Sequence, residues 1–238
     1  MDTFWLAKIP GVVVGACTGV AVVLFFALIE KVFKRSVPSI PGRIGGAIVV
    51  VVAVSLAGNY NNRPSPETVQ QALEEQTTKL LNESKATDGK TSSDLLQENA
   101  LKEVDRLTSK SKGDPVQEKK TARDLFFGFF ATNIYARPEY CQAKGIDISS
   151  FVNEFKKANS EEIIVMRKSL SDDDIEKYRQ VMKATIDKTV AFQMKSWADE
   201  LKVSTDEVCL RIKENPTPIA ESLAFKDVLP EVRKTLVN

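Results

Sequence analysis

The strongest constraint on this chain is an uncharged stretch of 20 residues, Pro10 to Ile29, near its N-terminus. At about 1.5 Å per residue, a helix of this length matches the hydrocarbon core of a bilayer, which is about 30 Å thick. A second apolar run, Ile44 to Gly58, has 15 residues and by itself also suits a buried strand or a signal-peptide core. Because the second run follows the first so closely, we interpret residues 1–58 as a membrane hairpin with spans at about 10–29 and 44–58.

Glycine recurs every fourth residue in both predicted spans. The first span contains Gly11, Gly15 and Gly19, and the same spacing occurs where the second span starts, with Gly42 just before it and Gly46 within it. Small residues at this spacing let helix backbones approach each other closely in lipid. The alternative is that these glycines only reflect the general frequency of glycine in membrane helices. We predict that the two glycine faces pack the spans together, or pack them against a second copy or another envelope protein.

The loop between the spans, residues 30–43, predicts the orientation of the hairpin. It holds four of the five basic residues that precede Gly58, namely Lys31, Lys34, Arg35 and Arg43. Loops rich in Lys and Arg stay on the cytoplasmic side, so both termini should lie outside, most simply in the periplasm of a bacterial inner-membrane protein. The alternative is a cleaved signal peptide, since Ser55-Leu56-Ala57 resembles a small-x-small site and cleavage after Ala57 would release the remainder.

The composition after Gly58 excludes several classes of function. Of the 33 basic and 32 acidic residues, 28 and 30 respectively lie beyond this point, so the near-neutral remainder lacks the basic surface that nucleic acid requires. The chain has no histidine, which excludes Ser-His-Asp and Cys-His catalysis and histidine-containing zinc sites. No nucleotide-binding or calcium-loop motif is present. We therefore predict no catalytic residue, no cofactor and no metal ion.

The remainder of the sequence predicts an all-α fold in two parts. Residues 59–113 should form a helical stalk, with a thin apolar stripe at Leu96, Ala100, Val104 and Leu107. Residues 114–238 are richer in large apolar side chains and predict a multi-helix domain. Its helices should begin after capping residues and prolines, and the longest should run from Ser171 to about Leu201. The helix-starting signals are Asp114-Pro115, Asp147 or Ser149, Ser160, Ser171, Ser204 and Thr217-Pro218.

Two of the three cysteines are predicted to form a disulfide. Cys141 and Cys209 both follow the predicted spans, and an even pair of thiols in an oxidising compartment usually joins. Cys17 lies inside the first predicted span and should stay a free thiol. The alternative for Cys141 and Cys209 is that they are two unpaired small core residues.

The most apolar segment of the soluble part is Leu125 to Phe130 (LFFGFF). On a helix Phe126, Phe129 and Phe130 share one face, whereas Phe127 points about 100° away from Phe126. Such a helix is either central in its domain or carries an interface on its second side. Phe127 is therefore our candidate for a partner-binding surface, with complete burial as the alternative.

These observations favour a membrane-anchored, non-enzymatic protein whose helical domain binds another envelope protein, as an accessory or assembly subunit or as an immunity protein. A sensor or transport component is the main alternative. Against it, neither predicted span has an ionisable residue near its centre. An enzyme that uses carboxylates alone, such as a cell-wall glycosidase, is the third class.

Overall fold

The computed structural model describes residues 91–238. Six helical positions before them are also described: Gln71, Glu75, Thr78, Lys79, Asn82 and Glu83. The predicted membrane hairpin, its glycine faces and the possible cleavage position after Ala57 lie outside the described residues. Within the described part of the chain, no helix combines the length and the apolar character needed to cross a bilayer.

Residues 91–238 consist of helices joined by short turns and links, with no strand among them, which confirms the all-α prediction for this part of the chain. In chain order the elements are α1 (Ser92–Ser111), α2 (Pro115–Ala131), a π-helical turn (Thr132–Ala136), α3 (Arg137–Gln142), α4 (Ser149–Ala158), α5 (Ser160–Ser169), α6 (Asp172–Leu201), α7 (Thr205–Glu214), α8 (Pro216–Ser222), α9 (Phe225–Val228) and α10 (Pro230–Val237).

Four helices, α1, α2, α6 and α7, begin where a side chain accepts hydrogen bonds from the backbone N–H groups of the first turn. Asp114 accepts hydrogen bonds from the N–H groups of Val116 and Gln117, and Pro115 follows it as the first helical residue. Ser171 and Asp174 cap each other reciprocally at the start of α6. These starts and the extent of the long helix confirm the sequence predictions. Three starts differ. Ser149 and Ser160 are the first residues of α4 and α5, after Ile148 and Asn159, and α8 begins at Pro216, two residues before Pro218.

α2 is the central helix of the packed body. It contacts α1, α5 and α10, while α4 packs against α8, and α6 packs against α1, α3 and α7. The core is rich in aromatic side chains from α2, α4 and α9; its fully buried members include Phe126, Phe129, Phe151, Phe155 and Phe225.

The apolar stripe of α1 is part of this core. Leu96 and Ala100 are completely buried, and Val104 and Leu107 are nearly so. The sequence predicts this helix as part of a lightly packed stalk, whereas in the structure the stripe packs against α2 and α6. A thin stripe is sufficient here because two other helices cover it.

Candidate functional site

The predicted disulfide is present. The Sγ atoms of Cys141 and Cys209 are 2.07 Å apart and their Cα atoms 5.6 Å apart, which confirms the prediction. The bond joins the end of α3 to the middle of α7, and both cysteines are completely buried. Next to it on the surface, the Lys144 ammonium group pairs with the Asp206 carboxylate. One covalent and one ionic link therefore hold the same two regions together.

A π-helical turn lies between α2 and α3, and Pro138 accounts for its position. The N–H of Arg137 donates to the carbonyl of Thr132, five residues earlier. Pro138 has no N–H for the carbonyl of Ile134, and its ring would press on that carbonyl in a regular α-helix. The wider turn relieves this clash and allows the chain to continue as a helix through Arg137. The turn also changes the direction in which the side chain of Arg137 points.

Arg137 is completely buried, which is exceptional for an arginine. One guanidinium nitrogen donates to Oδ1 of Asn133, and Nη2 donates to Oε1 of Gln193 on α6 at 2.7 Å. The guanidinium carbon lies 5.2 Å from the ring centre of Trp197 and 5.8 Å from that of Phe151. Amide oxygens and the negative faces of aromatic rings thus surround the positive charge.

These residues belong to a buried polar strip between α6 and the π turn. We name it the polar seam and define it as Asn133, Arg137, Thr189 and Gln193, each no more than 1 % exposed. Thr189 lies one helical turn before Gln193, so both are on the same face of α6. The seam also satisfies the backbone, since Nδ2 of Asn133 donates to the carbonyl of Phe129 at 2.9 Å.

Burial lowers the pKa of Arg137 to about 9, because the surrounding protein solvates the charged form less well than water does. The group is therefore still cationic at pH 7. A fully buried cation held by neutral acceptors and rings can join helices in one specific arrangement. It is not exposed to a ligand in this conformation.

A second set of charges bridges α3 and α6 at the surface. The Glu139 carboxylate accepts hydrogen bonds from Arg179, at 2.8 Å, and from Lys183. The hydrogen bond from Lys183 is the main cause that lowers the pKa of Glu139, and Arg179 lowers it further. These groups are partly exposed, so their contribution to stability is modest, about 1 kcal/mol or less for each pair.

The structure places Phe127 inside the fold. The ring is 2 % exposed, and its centre lies 5.5 Å from that of Tyr178 on α6. Every residue from Leu125 to Ala131 is buried, so the C-terminal half of α2 is covered on all sides, as expected if the LFFGFF segment is central in its domain. A binding role for Phe127 stays a sequence prediction, and the ring would have to leave the core to meet a partner.

Two small cavities flank α2 and α3. Each encloses about 10 Å³, which is far below the several hundred Å³ of a small-molecule site. Among the described residues no three His, Cys, Asp or Glu side chains are grouped in a way that would hold a metal ion.

The sequence analysis did not predict the polar seam. An isolated Arg-Pro pair usually indicates a solvent-exposed helix boundary, so nothing in the local sequence suggested that Arg137 is buried.

The described residues thus contain a rigid corner in which α3, α6 and α7 are joined by a disulfide, a buried arginine and surface ion pairs. Such a corner can hold a surface in a fixed shape. A search of protein-family models, of curated proteins and of solved structures finds no match to this chain.

Proposed function

We propose that this chain is a membrane-anchored, non-enzymatic module whose helical domain binds another protein outside the cytoplasm. The observation that carries the proposal is the buried disulfide between Cys141 and Cys209, downstream of two long apolar segments. Disulfides persist in oxidising compartments, and a chain with an uncharged 20-residue segment before them has a means of staying at the membrane on that side.

The proposal includes the topology. Residues 10–29 and 44–58 form a hairpin whose basic loop faces the cytoplasm, and the glycine faces pack the spans together. The absence of histidine from the sequence supports a binding role over the common hydrolytic mechanisms. The rigid corner of α3, α6 and α7 supports it as well, because a preorganised surface loses less entropy when it binds.

Paired reporter fusions test the topology. Alkaline phosphatase fused after Asn238 should be active, and the same reporter fused after Pro38, in the basic loop, should be inactive. A fluorescent reporter that needs the cytoplasm should give the opposite pattern at both positions. The reverse pattern at either position would overturn the proposed orientation.

A matched pair of tagged chains tests the binding role. The full-length chain and a chain that ends at Gly58 are purified from the same membranes after mild crosslinking. We expect proteins that accompany only the full-length chain, in stoichiometric amount, because the helical domain should carry the binding surface. Identical companions in both samples would contradict a binding role for the domain.

A further inference from the structure

One buried carboxylate, that of Asp124 on α2, is only half satisfied. The side chain of Asp124 is about 94 % buried. Its Oδ1 atom accepts hydrogen bonds from Nε and Nη2 of Arg123, at 3.0 and 2.7 Å. Its Oδ2 atom has no hydrogen-bond partner among the described residues. By contrast, the equally buried Glu162 is paired with Arg233 from α10, so a half-satisfied acid is not general in this domain.

The Asp124 side chain borders a small cavity between three elements. The other lining residues are Phe127 on α2, Leu170 in the link between α5 and α6, and Tyr178 and Met182 on α6. At about 10 Å³ the cavity holds at most one water molecule, and its walls are mostly apolar. A carboxylate in such surroundings is less well solvated than in water, and this penalty falls on the charged form alone.

The charges around Asp124 do not offset this penalty. Burial is the largest influence and raises the pKa of Asp124, whereas Arg123 and then Lys120, both on α2, lower it less. Asp174, at the start of α6, also interacts electrostatically with Arg123, so Arg123 is shared between two carboxylates. The remaining cavity residues from α6 and the α5–α6 link are Tyr178, Met182 and Leu170, none of which carries a charge at neutral pH.

We propose that Asp124 is a pH-sensitive latch: proton uptake at this carboxyl group tightens the packing of the α5–α6 link and of α6 on α2, and proton release loosens it. A neutral carboxyl group suits the mostly apolar cavity wall, because it lacks the charge that burial penalises. The latch goes beyond the proposed binding role and does not depend on the side of the membrane.

The direction of the effect follows from proton linkage. The folded state binds the Asp124 proton at a higher pH than the unfolded state, whose pKa is about 4. Between that pH and the raised folded pKa, acidification therefore increases the stability contributed by this site. The contribution is fully present below pH 4 and is lost as the pH rises through the folded pKa.

Melting of the full-length chain between pH 8 and pH 4.5 tests the latch. Asp124→Asn mimics the neutral form and should melt about 2–4 °C above the wild type at pH 8, with a difference that shrinks toward pH 4.5. The control Asp173→Asn removes one negative charge from an exposed position near the start of α6, and the Asp124→Asn offset is compared with it at each pH. An Asp124→Asn offset that is constant with pH, or that grows on acidification, overturns the proposal.

A second measurement keeps the test decisive if the Asn variant does not fold. In the wild-type chain labelled uniformly with ¹³C and ¹⁵N, the Asp124 carboxyl resonance should titrate with a midpoint above about 4, the ordinary value for aspartate. The resonances of Leu170 and Tyr178 should shift with the same midpoint. An Asp124 midpoint at or below about 4 overturns the latch whatever the variant does.

Discussion

Two buried regions of this domain are built on opposite principles. The aromatic cluster of α2, α4 and α9 consists of rings whose centres lie 5.0 to 6.4 Å apart, for example Phe126 with Phe225 and Phe129 with Phe155. The polar seam of Asn133, Arg137, Thr189 and Gln193 is as deeply buried but depends on directed hydrogen bonds. Area burial stabilises the first region, and directed hydrogen bonds between buried polar groups hold the second.

This contrast predicts different tolerances. A ring cluster accepts an apolar replacement of similar volume at small cost, because dispersion and burial do not depend on a particular atom. A polar seam does not accept such a replacement, because one missing acceptor leaves a buried donor unsatisfied. The predictions below test this difference from the largest expected effect to the smallest. In each case the free energy of unfolding of the purified full-length chain is measured by chemical denaturation.

Phe129→Ala should lower the free energy of unfolding by about 4 kcal/mol. The ring is completely buried and contacts Phe126, Phe155 and Phe225, so its removal leaves a cavity among side chains that cannot close it. Phe129→Leu is the matched control and should lose about half as much. If the two variants lose equal amounts, the cluster depends on ring geometry and the contrast with the seam is smaller than we infer.

The double variant Cys141→Ala/Cys209→Ala should lower the free energy of unfolding by about 4 kcal/mol. The cysteines are 68 positions apart, and a disulfide over such a distance restricts the unfolded chain strongly in the chain-entropy model. Each single variant should lose nearly the same amount, since either one breaks the bond. A double variant as stable as the wild type would show that the seam and the ion pairs alone hold the α3–α7 corner.

Gln193→Met should lose about 2 kcal/mol although it keeps the size of the side chain. The substitution removes Oε1 of Gln193, which lies 2.7 Å from Nη2 of Arg137. The buried, charged Nη2 group then loses this hydrogen-bond acceptor. Met194→Leu is the control, because it is an apolar exchange at a fully buried neighbour and should lose less than about 1.5 kcal/mol. Equal losses at the two positions would remove the distinction between seam and cluster.

Ser171→Ala should lose about 1 kcal/mol, the smallest effect in the series. The Ser171 hydroxyl accepts the N–H of Asp174 at 3.1 Å and starts α6, the helix that carries half of the polar seam. The exposed Ser150 on α4 provides the control, and Ser150→Ala should change the stability by less than about 0.5 kcal/mol. A loss at Ser171 no greater than at Ser150 would show that packing alone fixes the start of α6.

Local signals predicted much of the fold. Ser171 with Asp174 marks the start of α6, and Asp114 with Pro115 marks the start of α2, because these contacts involve residues at most three positions apart. The disulfide was predictable from compartment chemistry, since only Cys141 and Cys209 follow the apolar segments. The helix starts are features that a single chain segment determines, whereas the disulfide followed from where the cysteines lie relative to the apolar segments.

The polar seam was not predictable in this way. Whether Arg137 is buried depends on Gln193 and Trp197, which are 56 and 60 positions away and reach it only in the folded domain. The π turn likewise follows from a conflict between Pro138 and the helix that continues through it, and the sequence alone favours a break at that point. Phe127 differs again, because the sequence left its burial open and its cover includes Tyr178 of α6, a residue 51 positions away.

The disulfide has a mechanical consequence. Because Cys141 and Cys209 are joined, residues 142–208 form a covalent ring, and a pulling force transmitted along the backbone bypasses them. When the chain is stretched by its two ends, its maximum extension is therefore about 240 Å shorter than it would be after the disulfide is reduced. α4, α5 and α6 would stay unloaded, and the strain would fall on α1, α2 and the helices after α7.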